Sequence, residues 1–438
     1  MSENIFQDYT DPLSRVINKQ EGYKDELNEY RNYNSLFESG TFTTLKEAQN
    51  IPKEIDGPKQ VATLDFKRLE ELFGHNPNSL PTITIGPHPD FENIDHSEQI
   101  HHHCVSVFID IKGSTNLIKK YNLEEIRFIK DNVLTLCIYL AHFFGGHVHR
   151  LQGDGIFLQF VRREGHPNND IINALNASSL ITFFIQSLLA EIFEDQGIDP
   201  LKVRTGVDYG PAEDVLWSHY GIPGCSELTT TSLHTDLAAK LQANAAPNSI
   251  MLGDNIVSKL DLADNFWDYI TKSGSDDIDY YVFRGGDINY NQYEFDWQKY
   301  LQTFDFLEKD YAEGKIIFDK PDYRLKCSIS KDESYQENYY QNLYSLPKET
   351  NIKYTIYAEK YDRSLRKQEF KSIKWEAHNT GTEAEDAEQL EHDFGGNFDN
   401  KLFCKTSAKY LGHHQAKCKL SAGPHSPTKT LSFPIFVQ

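Results

Sequence analysis

The feature that most constrains this chain is the order of hydrophobic patterns between Cys104 and Tyr209. Cys104–Ile111 reads as a strand. Leu123–Phe144 places apolar residues at 126, 129, 133, 136/137, 140 and 143/144, the spacing of a buried helix face. Gly145-Gly146 stops that helix. His147–Phe160, HVHRLQGDGIFLQF, reads as two short strands around a turn at Gly153-Asp154-Gly155. A second long apolar helix is predicted over roughly Asn173–Phe193, then a strand at Val203–Tyr209 with Asp214–Ser218 as its partner. Thr235–Ala243 reads as a helix, and Ser249–Leu252 and Tyr280–Arg284 as further strands. The order β-α-β-β-α-β predicts an α+β fold, a ferredoxin-like palm: an antiparallel sheet with helices on one face.

Two carboxylates sit at special places in this pattern. Asp110 interrupts the apolar run VFIDIKGST near its end, and Asp154 occupies the hairpin turn. An ionised carboxylate in a buried strand needs a partner. In a palm the two strands are neighbours, so Asp110 and Asp154 converge, and the Ile111 carbonyl is the natural third oxygen. Such hard oxygen donors suit Mg²⁺ or Mn²⁺, two ions per site. The turn Lys112-Gly113-Ser114-Thr115 leads into a helix whose free N–H groups would cradle phosphate. Metals beside a phosphate cradle favour in-line attack on a nucleoside triphosphate. Taken singly, Asp154 also fits an ordinary turn aspartate.

The bulk properties narrow the partners. The chain has 438 residues, enough for two or three domains, and a net charge of −21. So acidic a chain is not expected to bind nucleic acid over a broad face. The greasiest stretch, Leu180–Phe193, is too short and too interrupted to span a bilayer, and no secretory leader is visible. Six scattered cysteines without a CxxC pair fit reduced thiols in a cytoplasm.

FIDIKGST, FGGHVHRLQGDGIFLQF, RTGVDYGP and LHTDLAAKLQ together resemble a class III nucleotide cyclase catalytic domain over roughly residues 103–285. The resemblance implies conversion of a triphosphate to a 3′,5′-cyclic monophosphate, with Asp110 and Asp154 as the metal aspartates. It also implies a two-fold homodimer whose composite sites take residues from both protomers. The family's base-reading position, Lys or Glu in purine cyclases, is Arg150 here, and the second aligns near Thr229. The helix that usually carries Asn-x-x-x-Arg reads Asp236-Leu-Ala-Ala-Lys240. Lys240 would supply a point charge to the α-phosphate, and Asp236 either accepts from a ribose hydroxyl or is structural. Arg284 is the candidate for the late triphosphate contact. Arg150 only donates hydrogen bonds, so it suits the acceptors of a pyrimidine edge.

IGPHPDF, the DLAAKLQ helix, and Trp375, Asn379-Thr-Gly381, Ala384 and Tyr410–His413 resemble the pyrimidine cyclases of bacterial Pycsar anti-phage systems and their appended sensor domain. That resemblance implies cUMP or cCMP as product, a separate effector activated by it, and UTP as the favoured substrate over CTP. An adenylate cyclase and an inactive nucleotide-binding sensor stay open as other readings. The expected organisation is an N-terminal helical extension over 1–100, the cyclase domain over 101–287, a linker over 288–345 and a small β-sandwich over 346–438. Cys404, His413, His414 and Cys418 match no zinc spacing and read as sandwich residues. His101-His102-His103 reads as a solvated connector.

Overall fold

A computed structural model describes residues 66–438, apart from 75, 78, 191–193, 195–198, 283–288, 311–314, 319–320, 333, 336, 367–368, 395–397 and 424–425. The helical extension expected over 1–100 lies outside the described residues as far as 65. Within it, the helix α1 (Phe66–Phe73) is described. Phe73 is fully buried and meets Phe144, Phe304 and Phe306 edge-on at 5.3, 5.5 and 4.8 Å between ring centres.

The predicted palm forms. A short strand β1 (Ile100–His101) precedes β2 (Cys104–Lys112). A 3-10 helix (Ser114–Lys119) leads to α2 (Leu123–Phe143), then β3 (Gly146–Gln152), β4 (Gly155–Phe160), α3 (Pro167–Phe183) and β5 (Lys202–Gly210). A hairpin of β6 (Leu216–Ile222) and β7 (Cys225–Thr231) precedes α4 (Leu233–Asn244), β8 (Ser249–Gly253), α5 (Asp254–Leu260) and β9 (Trp267–Tyr269). A two-stranded ribbon, β10 (Tyr281–Val282) with β11 (Asn289–Tyr290), leads to β12 (Gln292–Phe295) and α6 (Trp297–Leu301). The main sheet runs β3-β4-β2-β5-β8-β12-β9.

Its first four strands have the ferredoxin-like order. Beyond them the expectation of an all-antiparallel sheet with helices on one face fails twice. β8 runs parallel to β5, and α4 packs on the face opposite α2 and α3. The strand over 214–218 does not pair with β5 either. Asp214 ends a 3-10 turn, and only 216–218 enter β6, which joins β1 and β7 in a separate small sheet. The second long helix begins earlier than expected and ends in a π-helical turn at Phe184–Leu189.

One face of the palm sheet is the core. Val105, Val107, Ile109 and Ile111 of β2 point into the cluster formed with α2 and α3. Ser106, Phe108 and Asp110 alternate onto the other face. There Gly206 of β5 lets α4 approach. A Cβ at 206 would overlap the Ala238 carbonyl and the Gln242 amide.

The stretch expected as a linker, 288–345, carries structure on both sides. β12 and α6 belong to the palm, and Tyr300, Leu301, Phe304 and Phe306 are buried in its core. After a ribbon of β13 (Leu307–Asp310) and β14 (Lys315–Phe318), the sandwich starts at β15 (Tyr323–Ser330). One sheet pairs β15 with β16 (Glu337–Tyr339) and β18 (Asn351–Ala358), which also holds β19 (Arg363–Ser364) and β22 (Phe403–Ser407). The other runs β17 (Ser345–Leu346), β24 (Lys429–Val437), β23 (Gly412–Ser421), β20 (Ser372–His378) and β21 (Glu391–Asp393). A short helix α7 (Thr382–Asp386) follows β20. Tyr354, Trp375, Cys404, Cys418 and Phe433 fill the space between the sheets. The two thiols are buried in that core, as the sequence predicted.

Candidate active site

β2 and β4 run antiparallel, with Asp110 opposite Gly155. Asp154 immediately precedes Gly155 in the turn, so both aspartates lie at the same end of the sheet. The Gly155 position borders Asp110 closely enough that a Cβ there would lie 3.7 Å from its Oδ1. Gly153 holds φ +67° with open space around it, the conformation this turn requires. Both carboxylates keep about a quarter of their surface, 28% and 24%. Arg204 of β5, directly opposite Asp110, donates from Nη2 to Asp110 Oδ2 at 2.5 Å. Asp154 accepts from the Ser114 hydroxyl and faces Lys130 Nζ at 3.9 Å. The cation that the opening run demanded for Asp110 is thus Arg204, which sequence reasoning did not single out. The signal was its position six residues before Gly210 on a strand beside β2.

The cradle differs from the expectation. Gly113, with φ +77°, caps a 3-10 helix of six residues and not an α-helix. Ser114 is buried and its hydroxyl turns back to Asp154. Lys112 and Thr115 are exposed beside it, and Ile111 is buried opposite Val203, one residue past the last β4 pairing. Mg²⁺ and Mn²⁺ commonly take one or two carboxylates and complete their shell from water and substrate phosphate. Asp110 and Asp154, with the Ile111 carbonyl as a further hard oxygen, fit that demand. Among the described residues no larger group of three or more His, Cys, Asp or Glu side chains is placed to hold a metal.

Arg150 reaches the same face through a β-bulge. The β3–β4 register shifts between Val148 and Arg150, so that Val148 lies opposite Leu158 but Arg150 lies opposite Phe157. Without the extra residue, Arg150 would face Ile156, on the core side. Phe157 stacks on Phe108 at 4.3 Å, so Arg150, Phe157, Phe108 and Asp110 share one face. Arg150 is ion-paired through Nη2 with Glu227 of β7. His149, the bulge residue, sets Nε2 3.1 Å from the other oxygen of Glu227 and its ring edge-on to Phe157. Burial pulls the His149 imidazole below its ordinary range, against the opposing pull of Glu227. Thr229 lies two residues beyond Glu227 on β7, half-buried, on the same side of the strand.

The Gly86-Pro-His-Pro loop forms the wall behind this corner. Gly86 N donates to the Val148 carbonyl at 3.1 Å, and the Gly86 carbonyl lies 2.9 Å from His147 Nε2 and 3.2 Å from His149 Nδ1. His103 is no solvated connector. It is buried against Asp170, 2.9 Å from Nε2 to Oδ2, and Trp217 anchors the preceding carbonyl of His102.

α4 carries the remaining candidates. Ser232 caps it by accepting from His234 N. Asp236 and Lys240 are both exposed, one turn apart, on the outward side. Lys240 hydrogen-bonds the Tyr281 hydroxyl and sits 4.4 Å over its ring. Beneath the helix start, fully buried Asp208 accepts from His234 Nδ1 at 3.0 Å and from the Tyr290 hydroxyl at 2.7 Å. Burial pulls His234 down, but Asp208 and Asp214 outweigh it and hold the imidazole above its usual range. Arg284 lies outside the described residues.

Comparison with known proteins places these features in a family. A family model for the adenylyl/guanylyl and SMODS C-terminal sensor domain matches residues 301–423. A cytidylate cyclase from Staphylococcus aureus is 34% identical over 401 residues, covering 90% of this chain and 92% of the relative. A cytidylate cyclase from Escherichia coli is 30% identical over 368 residues, covering 80% and 74%. Among solved structures, the adenylyl cyclase CyaB from P. aeruginosa is 19% identical with a TM-score of 0.38, covering 45% of this chain and 95% of that one. Through the two relatives matched over most of their length, the chain belongs to the family of these cytidylate cyclases, class III nucleotide cyclases with a C-terminal sensor domain.

Proposed function

We propose that this protein is a pyrimidine nucleotide cyclase that converts CTP to 3′,5′-cyclic CMP and pyrophosphate. The observation that supports the reading is the face Asp110 shares with the donor-only Arg150, which the bulge turns onto that side, with Asp154 in the turn at its end. The sequence favoured UTP. The names of the matched relatives favour CTP, and UTP remains the second reading because Arg150 pairs with acceptors of either base.

In this reading Asp110 and Asp154, with the Ile111 carbonyl, hold Mg²⁺ or Mn²⁺. Bound divalent ions would supply Lewis acidity, lowering the pKa of the 3′-hydroxyl and neutralising the triphosphate. Arg204 shares Asp110 and keeps its carboxylate aimed along the sheet edge. Ser114 does the same for Asp154. Lys112, Gly113 and Thr115 line the approach of the phosphates, and Arg150 and Thr229 face the base. Lys240 stabilises charge on the α-phosphate and Asp236 accepts from the ribose. In one chain Lys240 is engaged with Tyr281 and not with the aspartate end. A two-fold homodimer, in which α4 of one protomer faces the aspartates of its partner, therefore completes the site. The product would act as a messenger to a separate effector in anti-phage defence, with the sandwich as the sensing module.

The test is to incubate the purified chain with Mn²⁺ and each of the four ribonucleoside triphosphates separately, resolving products by mass. Cyclic CMP from CTP supports the reading. Product from ATP alone would make Arg150 a substitute for the purine-reading lysine and overturn it. No product from any triphosphate would favour an inactive nucleotide-binding sensor.

A further inference from the structure

We propose that Glu227 is the residue that selects cytosine over uracil, by forming with Arg150 an acceptor–donor–donor edge that complements the cytosine base. The inference deepens the proposed cyclase function and rests on it.

The pair is built, not incidental to two mobile side chains. Glu227 lies on β7, in a different sheet from Arg150, yet both of its oxygens are engaged. Arg150 takes one oxygen and His149 approaches the other at 3.1 Å. His149 is 2% exposed at its side chain, held between Phe157 and the Gly86 carbonyl. Arg150 and Glu227 themselves stay open, at 44% and 40%. A buried residue therefore fixes an accessible ion pair on the face that carries the metal aspartates. Glu227 also shares its side of β7 with Thr229.

The chemistry follows from what each group can donate or accept. A carboxylate only accepts, and each of its oxygens has two lone-pair sites. A guanidinium only donates, and one N–H fork remains after the bond to Glu227. Side by side they present acceptor, donor, donor. The cytosine edge presents an amine donor at N4, then acceptors at N3 and O2, so all three positions match. Uracil presents an acceptor at O4, a donor at N3 and an acceptor at O2. Its O4 meets the carboxylate and its N3–H meets a guanidinium N–H, so two positions of three oppose. A site built to hydrogen-bond one substrate group rejects the analogue lacking it far more strongly than an apolar pocket does.

The experiment compares wild type with Glu227→Gln, measuring kcat/KM for CTP and for UTP in the full chain with Mn²⁺. The glutamine amide can turn either end to the base, so the CTP-to-UTP ratio should fall by at least about tenfold. As a measure independent of turnover, binding of 3′-deoxy-CTP and 3′-deoxy-UTP, which cannot cyclise, is titrated on both proteins. The affinity ratio should shift the same way. A merely structural Glu227 would weaken both nucleotides equally and leave the ratios unchanged, which overturns the inference while the cyclase reading stands. Wild type that cyclises neither CTP nor UTP overturns the proposed function and this inference together.

Discussion

At the scale of single residues, the site depends on charges that the fold holds in place and one glycine that lets a helix approach. Asp110 and Asp154 are the clearest case. Asp110→Asn or Asp154→Asn removes a charge from the proposed metal-binding pair while keeping size and the contacts with Arg204 and Ser114. Each is expected to lower cyclase turnover by about a thousandfold or more, with an unchanged thermal midpoint, read by product mass and calorimetry. Wild-type activity in either variant would remove the metal assignment. Gly206 makes the opposite kind of demand. A methyl there overlaps the α4 backbone at Ala238 and Gln242, which cannot yield as a flexible side chain would. Gly206→Ala should destabilise by about 1–3 kcal/mol, seen in the denaturant midpoint. It should also cut turnover if Lys240 of α4 acts on the α-phosphate as proposed. The aspartates were legible in the chain as FIDIKGST and GDG, whereas the demand on Gly206 shows only once α4 lies against β5. Arg204 and Glu227 were not legible either, because a lone arginine or glutamate on a strand shows its partner only when the strands are assembled.

At the scale of elements, the decisive feature is the bulge in β3. Seven residues that read as a plain strand contain one extra position, and that position moves Arg150 from the core side to the site side. Periodicity alone could not reveal it, since HVHRLQ alternates equally well in either register. The same region sets a pH dependence. His142 ends α2 and His147 lies in β3, both buried, and burial pulls each down to about 4. In the unfolded chain both titrate near 6.5. Between those values the unfolded state binds more protons than the folded one. Their contribution is therefore fully present above about pH 6.5 and is lost as pH falls toward 4. Urea midpoints at pH 7.5, 6.0 and 4.5 should decline in that order. His147→Gln, which can still donate to the Gly86 carbonyl, should flatten the decline. The 3-10 turn after Gly113 likewise escaped the sequence, because six residues satisfy either helix type.

At the scale of the whole molecule, palm and sandwich are joined by direct contacts, some of them fully buried. Asn176 of α3 is fully buried, donating to the Asn342 carbonyl at 2.7 Å and accepting from the Tyr300 hydroxyl at 2.7 Å. Asn169 accepts from both Ser345 N and Oγ at 2.9 and 2.8 Å. His413 of β23 lies between Phe266 of the palm and Phe436 of β24, at 5.1 and 4.9 Å. The Asp261 carboxylate accepts from the amide and hydroxyl of Thr382 at 2.6 and 3.1 Å. Asn176→Ala strips the buried Asn342 carbonyl of its donor and the Tyr300 hydroxyl of one acceptor, and should cost about 1–3 kcal/mol. Because those groups sit at the seam, fluorescence from Trp217 in the palm and Trp375 in the sandwich should report the same lowered midpoint. A drop at Trp217 alone would mean that the two parts unfold independently. Among the described residues no helix is long and apolar enough to cross a membrane.

The chain by itself determined the palm's strand-helix order, the two aspartates at its edge, and the apolar alternation of the sandwich. Each is written in local periodicity or turn chemistry, which act over a few residues. Only the tertiary structure decided what those elements meet. It paired Asp110 with Arg204, 94 positions away, and Arg150 with Glu227, 77 positions away, by adding β5 to β2 and laying the β6–β7 hairpin against β3. It turned the expected linker into palm core on one side and sandwich on the other, because aromatic residues in polar surroundings carry no period that says which core will bury them. Long-range pairing depends on which surfaces close together, and no window of sequence contains both partners.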